Sequence, residues 1–138
     1  VSLLILMLLT IIGIAAMNTS NVELKISGNE KVYKMALYAA EAARGYVAKQ
    51  SELYGSDNTT MGETRNFPVD DDPSARFHLG STQSFNGNVE YLGFSAPLRG
   101  SGNQAGTFKM HKYKMTCNGY GPSNAESQVE AGFYRIGF

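Results

Sequence analysis

The sequence of 138 residues contains a single cysteine, Cys117, and its 12 basic and 12 acidic side chains leave no net charge. One cysteine cannot form an intramolecular disulfide, a cysteine-based zinc site or the C-x-x-C-H motif that attaches haem covalently. Without net charge, the protein as a whole has no electrostatic attraction to nucleic acid or to an anionic membrane. The length suits one domain of modest size and excludes two enzymatic domains.

Charge is also missing from the beginning of the chain, where residues 1–17 read VSLLILMLLTIIGIAAM and the first ionisable side chain is Glu23. As a helix, this segment spans about 25 Å, slightly less than the ~30 Å hydrocarbon core of a bilayer. A helix that is apolar on all sides needs apolar surroundings, either lipid or other copies of itself. The residues predicted to form this membrane or filament-core helix are Leu3, Leu4, Leu6, Leu8, Leu9, Ile11, Ile12 and Ile14.

Three interpretations of the apolar run compete. A secretory signal peptide has a basic leader and a shorter apolar stretch, whereas this sequence begins at Val1 without a leader. We therefore expect that a preceding segment has been removed and that the apolar helix is retained. The second interpretation is a permanent transmembrane anchor. The third is a helix that lies in a membrane first and in a bundle of subunits later, and it predicts that the helix continues in amphipathic form.

An amphipathic continuation is present after the polar cluster of residues 18–21. Apolar side chains follow at helical spacing: Val22, Ile26, Tyr33, Leu37, Ala40 and Val47. Gly13, Asn18, Thr19 and Ser20 have poor helix propensity, and Ser20-x-x-Glu23 matches a capping box. We therefore predict an apolar helix over residues 1–17, a weakened or unwound stretch near 18–21, and a second helix that ends at about residue 53.

The remainder of the sequence is typical of short strands and turns. Residues 55–74 are rich in Gly, Asn, Thr, Asp and Pro, which predicts a loop. Alternating patterns predict strands over 88–95, 107–117 and 128–136, a short edge over 76–79, and turns over 99–106 and 118–124. In the first strand the pattern shifts at Gly93, and in the second strand Tyr113, Met115 and Cys117 share one face.

These patterns predict an α+β fold, in which one long N-terminal α-helix packs against a small antiparallel β-sheet head. Three segments follow from this assignment. Residues 1–21 form the hydrophobic membrane or filament-core helix, residues 22–54 form the amphipathic helix that packs on the head, and residues 55–138 form a loop-rich β-sheet head domain.

The most basic patch contains Lys109, Lys112 and Lys114, interleaved with Phe108 and Tyr113. Lysine and aromatic side chains together can contact single-stranded nucleic acid. The charges fall on both faces of an alternating strand, however, so we interpret the patch as a solvated strand and do not expect a nucleic-acid partner.

Other polar residues give no pattern for catalysis. His78 and His111 lack the neighbours of a zinc site, and residues 70–72, three aspartates, lack the spacing of a calcium loop. Asn58-Thr59-Thr60 matches the N-glycosylation pattern on a loop that we expect to be exposed. We predict no enzymatic activity and no catalytic, cofactor or metal site.

Several short motifs in the first 47 residues carry a resemblance to a known family. They are the run ending in Ile11-Ile12-Gly13, Met17-x-Thr19, Ser27-Gly28-Asn29 and, most specifically, Ala39-Ala40-Glu41-Ala42-Ala43. This segment resembles the N-terminus of type IV pilin-like proteins, most closely the PilX-like minor pilins. A weaker similarity covers Asn118-Gly119-Tyr120-Gly121 and residues 126–131.

The resemblance implies a bacterial precursor in the inner membrane that a prepilin peptidase cleaves after a glycine. Pilus assembly machinery would then pack its helix into the core of an extracellular, helical filament of identical subunits. Many pilins carry a glutamate at the fifth mature position, where this sequence has Ile5. Either apolar packing alone sets the helix register, or the sequence begins inside the mature protein.

The function implied by the resemblance is that of a structural filament subunit. Two alternatives stay open. One is a minor or accessory pilin, associated with other minor pilins, that primes assembly or mediates adhesion or DNA capture. The other is a membrane-anchored binding protein that does not polymerise.

Overall fold

The computed structural model describes residues 1–55, 58, 60–102 and 106–137. These residues form a long helix, α1 (Ser2–Lys49), followed by five strands. The strands are β1 (Thr64–Phe67), β2 (Phe77–His78), β3 (Ser84–Ser95), β4 (Lys109–Tyr120) and β5 (Glu126–Gly137). Two short 3₁₀ turns, Ser51–Leu53 and Pro122–Asn124, lie before β1 and between β4 and β5. The predicted α+β class, with one long helix and an antiparallel sheet, is confirmed.

The sheet has the strand order β1-β3-β4-β5, and β2 pairs with the first residues of β3. All pairings are antiparallel, so β1 and β2 lie at one edge and β5 lies at the other. The register between β3 and β4 shifts between Tyr91 and Gly93, where the sequence pattern also shifts. Gly93 has a φ of 105°, a conformation that glycine adopts without strain and that suits a bulge.

The sheet is larger than the sequence predicts. Residues 55–74 contain β1, which corrects the prediction of a continuous loop, and residues 118–120 belong to β4 rather than to a turn. Both segments are polar, so they lack the alternation that identifies a strand. Their partners hold them in the sheet. Asn86 of β3 accepts hydrogen bonds from the Asn118 amide at 3.3 Å and from the Tyr120 hydroxyl at 3.2 Å.

Helix α1 runs through residues 18–21 without interruption, which corrects the prediction of an unwound stretch and a second helix. The low helix propensity of the four residues at 18–21 costs a continuous helix about 2 kcal/mol, whereas starting a second helix after a break costs about 4 kcal/mol for nucleation. One continuous helix is therefore favoured. Thr19 is also satisfied within the helix, because its hydroxyl donates to the Ala15 carbonyl at 3.1 Å. The helix ends at Lys49, and residues 51–53 of the predicted helix form a 3₁₀ turn instead.

The core lies between the sheet and a narrow face of α1. The buried helix residues on this face, which we call the alanine seam, are Ala36, Ala39, Ala40, Ala43 and Val47. They pack against the sheet face that carries Tyr113, Met115 and Cys117, so the predicted face of β4 is confirmed. The helix comes close to β4 at Gly119, where an added Cβ would collide with the backbone of Ala36 and Ala40.

The packed part of α1 begins at Val32, ten residues later than the predicted amphipathic segment. Val22, Ile26 and Tyr33, which we expected on the packed face, are more than half exposed. Their helical spacing is correct, but spacing does not reveal how far the sheet extends along the helix.

Candidate functional site: the projecting helix

The first 30 residues of α1 extend beyond the head. In residues 2–31, which we call the projecting helix, every side-chain position is exposed except Gly13, which is half-buried. At 1.5 Å per residue the segment is about 45 Å long, out of about 72 Å for the whole helix. It therefore contributes nothing to the core of its own head and presents its full circumference to the surroundings.

The eight residues predicted for the membrane or filament core all lie on this segment. Their exposed fractions range from 81% at Leu3 to 54% at Ile11, and they include Leu4, Leu6, Leu8, Leu9, Ile12 and Ile14. Among the described residues, α1 is long and apolar enough to cross a membrane, and its apolar window is not buried. An apolar surface this large and continuous needs a partner, because water solvates it poorly.

Charge begins abruptly in the second half of the projecting helix, with Glu23, Lys25, Glu30 and Lys31. Glu30 forms an ion pair with Lys34, one turn further on, with 2.6 Å between Oε1 and Nζ. The segment thus divides into an uncharged part suited to lipid or to other helices and a charged part next to the head. Gly13, Asn18, Thr19 and Ser20, the residues predicted as a weak point of the helix, lie on the N-terminal side of this boundary and are helical.

The structure does not bring the three predicted patch lysines onto one surface. Strand alternation places Lys109 on the opposite face of β4 from Lys112 and Lys114. The Lys109 ammonium lies over the Phe94 ring, 4.5 Å from its centroid, and Lys114 forms an ion pair with Glu130 at 3.1 Å. Two of the three charges therefore already have partners within the head.

The candidate metal and base residues are also separated. His111 Nδ1 lies 2.8 Å from the Tyr91 hydroxyl, whereas His78 lies on the exposed strand β2. Asp70 forms an ion pair with Arg65 at 2.7 Å. Within the part of the chain that the structure describes, no group of three or more histidine, cysteine or acidic residues could hold a metal ion.

Asn58 is fully buried, which corrects the prediction that it lies on an exposed loop. Its amide Nδ2 donates to the Leu53 carbonyl at 2.9 Å and to the Val89 carbonyl at 3.4 Å. These bonds tie the 3₁₀ turn after α1 to the central strand β3. In the folded protein the Asn58 side chain is therefore a structural tie and is not accessible for glycosylation.

Cys117 lies between α1 and the sheet with no exposed surface. Burial raises the pKa of its thiol to about 11, so the reactive thiolate is scarce at neutral pH. The side chain acts as a small apolar core residue and is not placed to form a disulfide with another chain.

The alanine seam and Gly119 position the projecting helix, and the sequence patterns did not identify this role for them. The signal was the cluster of four alanines at 39, 40, 42 and 43 together with two glycines, Gly119 and Gly121, in one short segment. Small residues on both sides permit the backbones of a helix and a strand to approach closely.

A family model described as PilX N-terminal matches residues 1–43, which span the projecting helix and most of the alanine seam. The chain is PilX-like at its N-terminus. The match covers 43 of 138 residues, and no curated protein and no solved structure matches the chain. The PilX-like helix followed by an antiparallel sheet has the architecture of a pilin, which confirms the resemblance. The match associates the N-terminal segment with type IV pilus proteins.

Proposed function

We propose that the protein is a structural subunit of an extracellular type IV pilus-like filament and polymerises through its projecting helix. The observation that supports this proposal is the exposure of the apolar side chains along residues 3–14. Burying eight such side chains among copies of the same helix contributes on the order of 10 kcal/mol per subunit before entropy is subtracted. Contacts that join different surfaces of identical subunits propagate into a helical fibre when the rotation between neighbouring subunits does not close a ring.

Before assembly, the same helix would hold the precursor in the inner membrane. Residues 2–22 contain no charge and span about 31 Å as a helix, which matches the hydrocarbon thickness of about 30 Å. The partners of this stage would be a prepilin peptidase and the pilus assembly machinery. The filament would then replace lipid with neighbouring subunits around an unchanged apolar surface.

The test is the recovery of the protein in filaments sheared from cells, compared between the parent and Leu6→Arg. We expect the parent in the sheared fraction and a loss of at least about tenfold for Leu6→Arg, because a charge is costly in an apolar bundle. Leu6→Met conserves volume and polarity and should assemble like the parent. Parent protein that stays in the membrane fraction without forming filaments would contradict the proposal and favour the membrane-anchored alternative.

The PilX-like match favours one second candidate, a minor or accessory pilin that primes assembly or mediates adhesion or DNA capture. Stoichiometry separates the two roles. A structural subunit dominates the mass of the sheared filaments, whereas an accessory pilin is a trace component beside a different, abundant pilin. Mass spectrometry of purified filaments measures this ratio.

A further inference from the structure

The sheet extends on both sides of α1, which leaves a groove along each flank of the helix. On the β5 side, the α1–β5 groove has a volume of about 530 Å³ and is lined by apolar side chains that include Val47, Tyr54 and Phe133. On the β1 side, a smaller groove of about 370 Å³ is mainly polar, and Glu52 and Asp70 are among its lining residues. The two flanks of the head therefore differ in polarity.

The flanks also differ in charge. Arg44, Arg135 and Glu41 line the α1–β5 groove, which leaves one excess positive charge. Arg44 pairs with Glu41 at 3.1 Å, whereas Arg135 donates to the Tyr54 carbonyl at 3.4 Å. In the described part of the chain, no carboxylate lies within ion-pair distance of Arg135. The rim of an apolar groove thus carries a guanidinium that can accept a carboxylate partner.

The opposite edge of the sheet carries the complementary charge. After β1, residues 68–72 form a surface segment, which we call the acidic loop, with the sequence Pro-Val-Asp-Asp-Asp. Val69 is 48% exposed, and Asp71 and Asp72 are exposed beside it. Arg65 at this edge is paired with Glu63 at 3.0 Å and with Asp70 at 2.7 Å, so it does not neutralise Asp71 and Asp72.

Internal hydrogen bonds fix the shape of the acidic loop. Asp70 accepts a bond from the Asn66 backbone N–H at 2.9 Å, and the Asn66 amide donates to the Asp70 carbonyl at 3.0 Å. Asp72 accepts bonds from the backbone N–H and the hydroxyl of Ser74, at 2.9 and 2.6 Å. A loop that is ordered before contact loses little entropy when it docks.

We propose that the α1–β5 groove of one subunit receives the acidic loop of a neighbouring copy, with Val69 on the apolar lining and Asp71 next to Arg135. This inference rests on the proposed function, since it names the lateral contact between heads in the filament. The loop and the groove lie at opposite edges of one sheet. Each copy therefore can use both surfaces at once, so in a filament the contact repeats from subunit to subunit. A contact of modest area suffices when the projecting helices hold the heads close together.

Disulfide trapping in sheared filaments tests the contact directly. The variant with Ala48→Cys, in the groove, and Val69→Cys, in the acidic loop, should give a ladder of covalent dimers, trimers and higher oligomers on oxidation. Disulfides form only between Cα atoms within about 7 Å of each other, so the ladder reports close approach. The matched control combines Val69→Cys with Lys112→Cys on the outer face of the sheet and should remain monomeric. The buried Cys117 is shielded in both variants.

Charge reversal gives a second, independent measurement. We expect Arg135→Glu to lower the yield of sheared filaments by roughly tenfold and the added change Asp71→Arg to restore most of it. If the parent forms filaments but the variant with Ala48→Cys and Val69→Cys gives no ladder, or a ladder that stops at dimers, the inference is overturned and the filament function is left intact. The same holds if Asp71→Arg does not restore the yield of Arg135→Glu. Failure of the parent to form filaments would overturn both.

Discussion

Gly119 determines how closely α1 approaches the sheet. Its φ is not positive, so the site requires glycine for space rather than for an unusual backbone conformation. A Cβ at this position would collide with the Ala36 carbonyl oxygen and the Ala40 nitrogen, both of which are backbone atoms that cannot rotate away. The alanine seam and Gly119 together therefore fix the distance between α1 and β4. This distance sets the position from which the projecting helix extends beyond the head.

We expect Gly119→Ala to destabilise the head by about 2–3 kcal/mol, because overpacking must push the helix away from β4. The measurement is the free energy of unfolding from urea denaturation of the protein in detergent. Gly132→Ala on β5 is the matched control. Its nearest contact would be the Tyr113 carbonyl at an ordinary 3.8 Å, so its effect should stay within about 0.5 kcal/mol. Equal effects of the two substitutions would show that Gly119 has no special packing role.

Helix α1 is one continuous element in two environments. Its apolar and charged segments could be predicted from the sequence, because composition and helical spacing depend only on neighbouring residues. Where packing begins could not be predicted, because it depends on the length and position of the sheet. Val22 and Val47 occupy equivalent positions in the helical pattern, yet Val22 is exposed and Val47 is buried.

In the sheet, too, features set by neighbouring residues could be predicted from the sequence, whereas features set by distant partners could not. The alternation of Tyr113, Met115 and Cys117 and the shift at Gly93 identified β4 and the bulge in β3 correctly. Strand β1 and the burial of Asn58 were missed, because each depends on a partner distant in sequence. The four residues of β1 lack the alternation of apolar and polar side chains, and they form a strand because their backbone pairs with β3. Asn58 lies in a loop, as predicted, but two hydrogen bonds hold its side chain inside the head rather than at the surface.

The predicted weak point of the helix can be tested by raising its helix propensity. Gly13→Ala and Gly28→Ala each stabilise an exposed helix by about 1 kcal/mol, and neither added Cβ meets another atom. If assembly requires the helix to open near residues 13 and 18–20, Gly13→Ala should lower the filament yield by about fivefold. Gly28→Ala, outside the weak point, should leave the yield unchanged. Similar yields for both variants and the parent would contradict an opening at this position.

The molecule as a whole separates assembly from folding, because the two depend on different parts of α1. The buried helix residues begin at Ala36, so removing residues 1–31 should leave a soluble, monomeric head whose melting temperature is within about 3 °C of the full chain in detergent. Circular dichroism and light scattering after size exclusion measure both properties. Removing residues 1–40 also deletes Ala36, Ala39 and Ala40, which uncovers the sheet, and should abolish cooperative unfolding. Aggregation of the 32–138 fragment would mean that the projecting helix also shields the head, and one surface would then serve both folding and assembly.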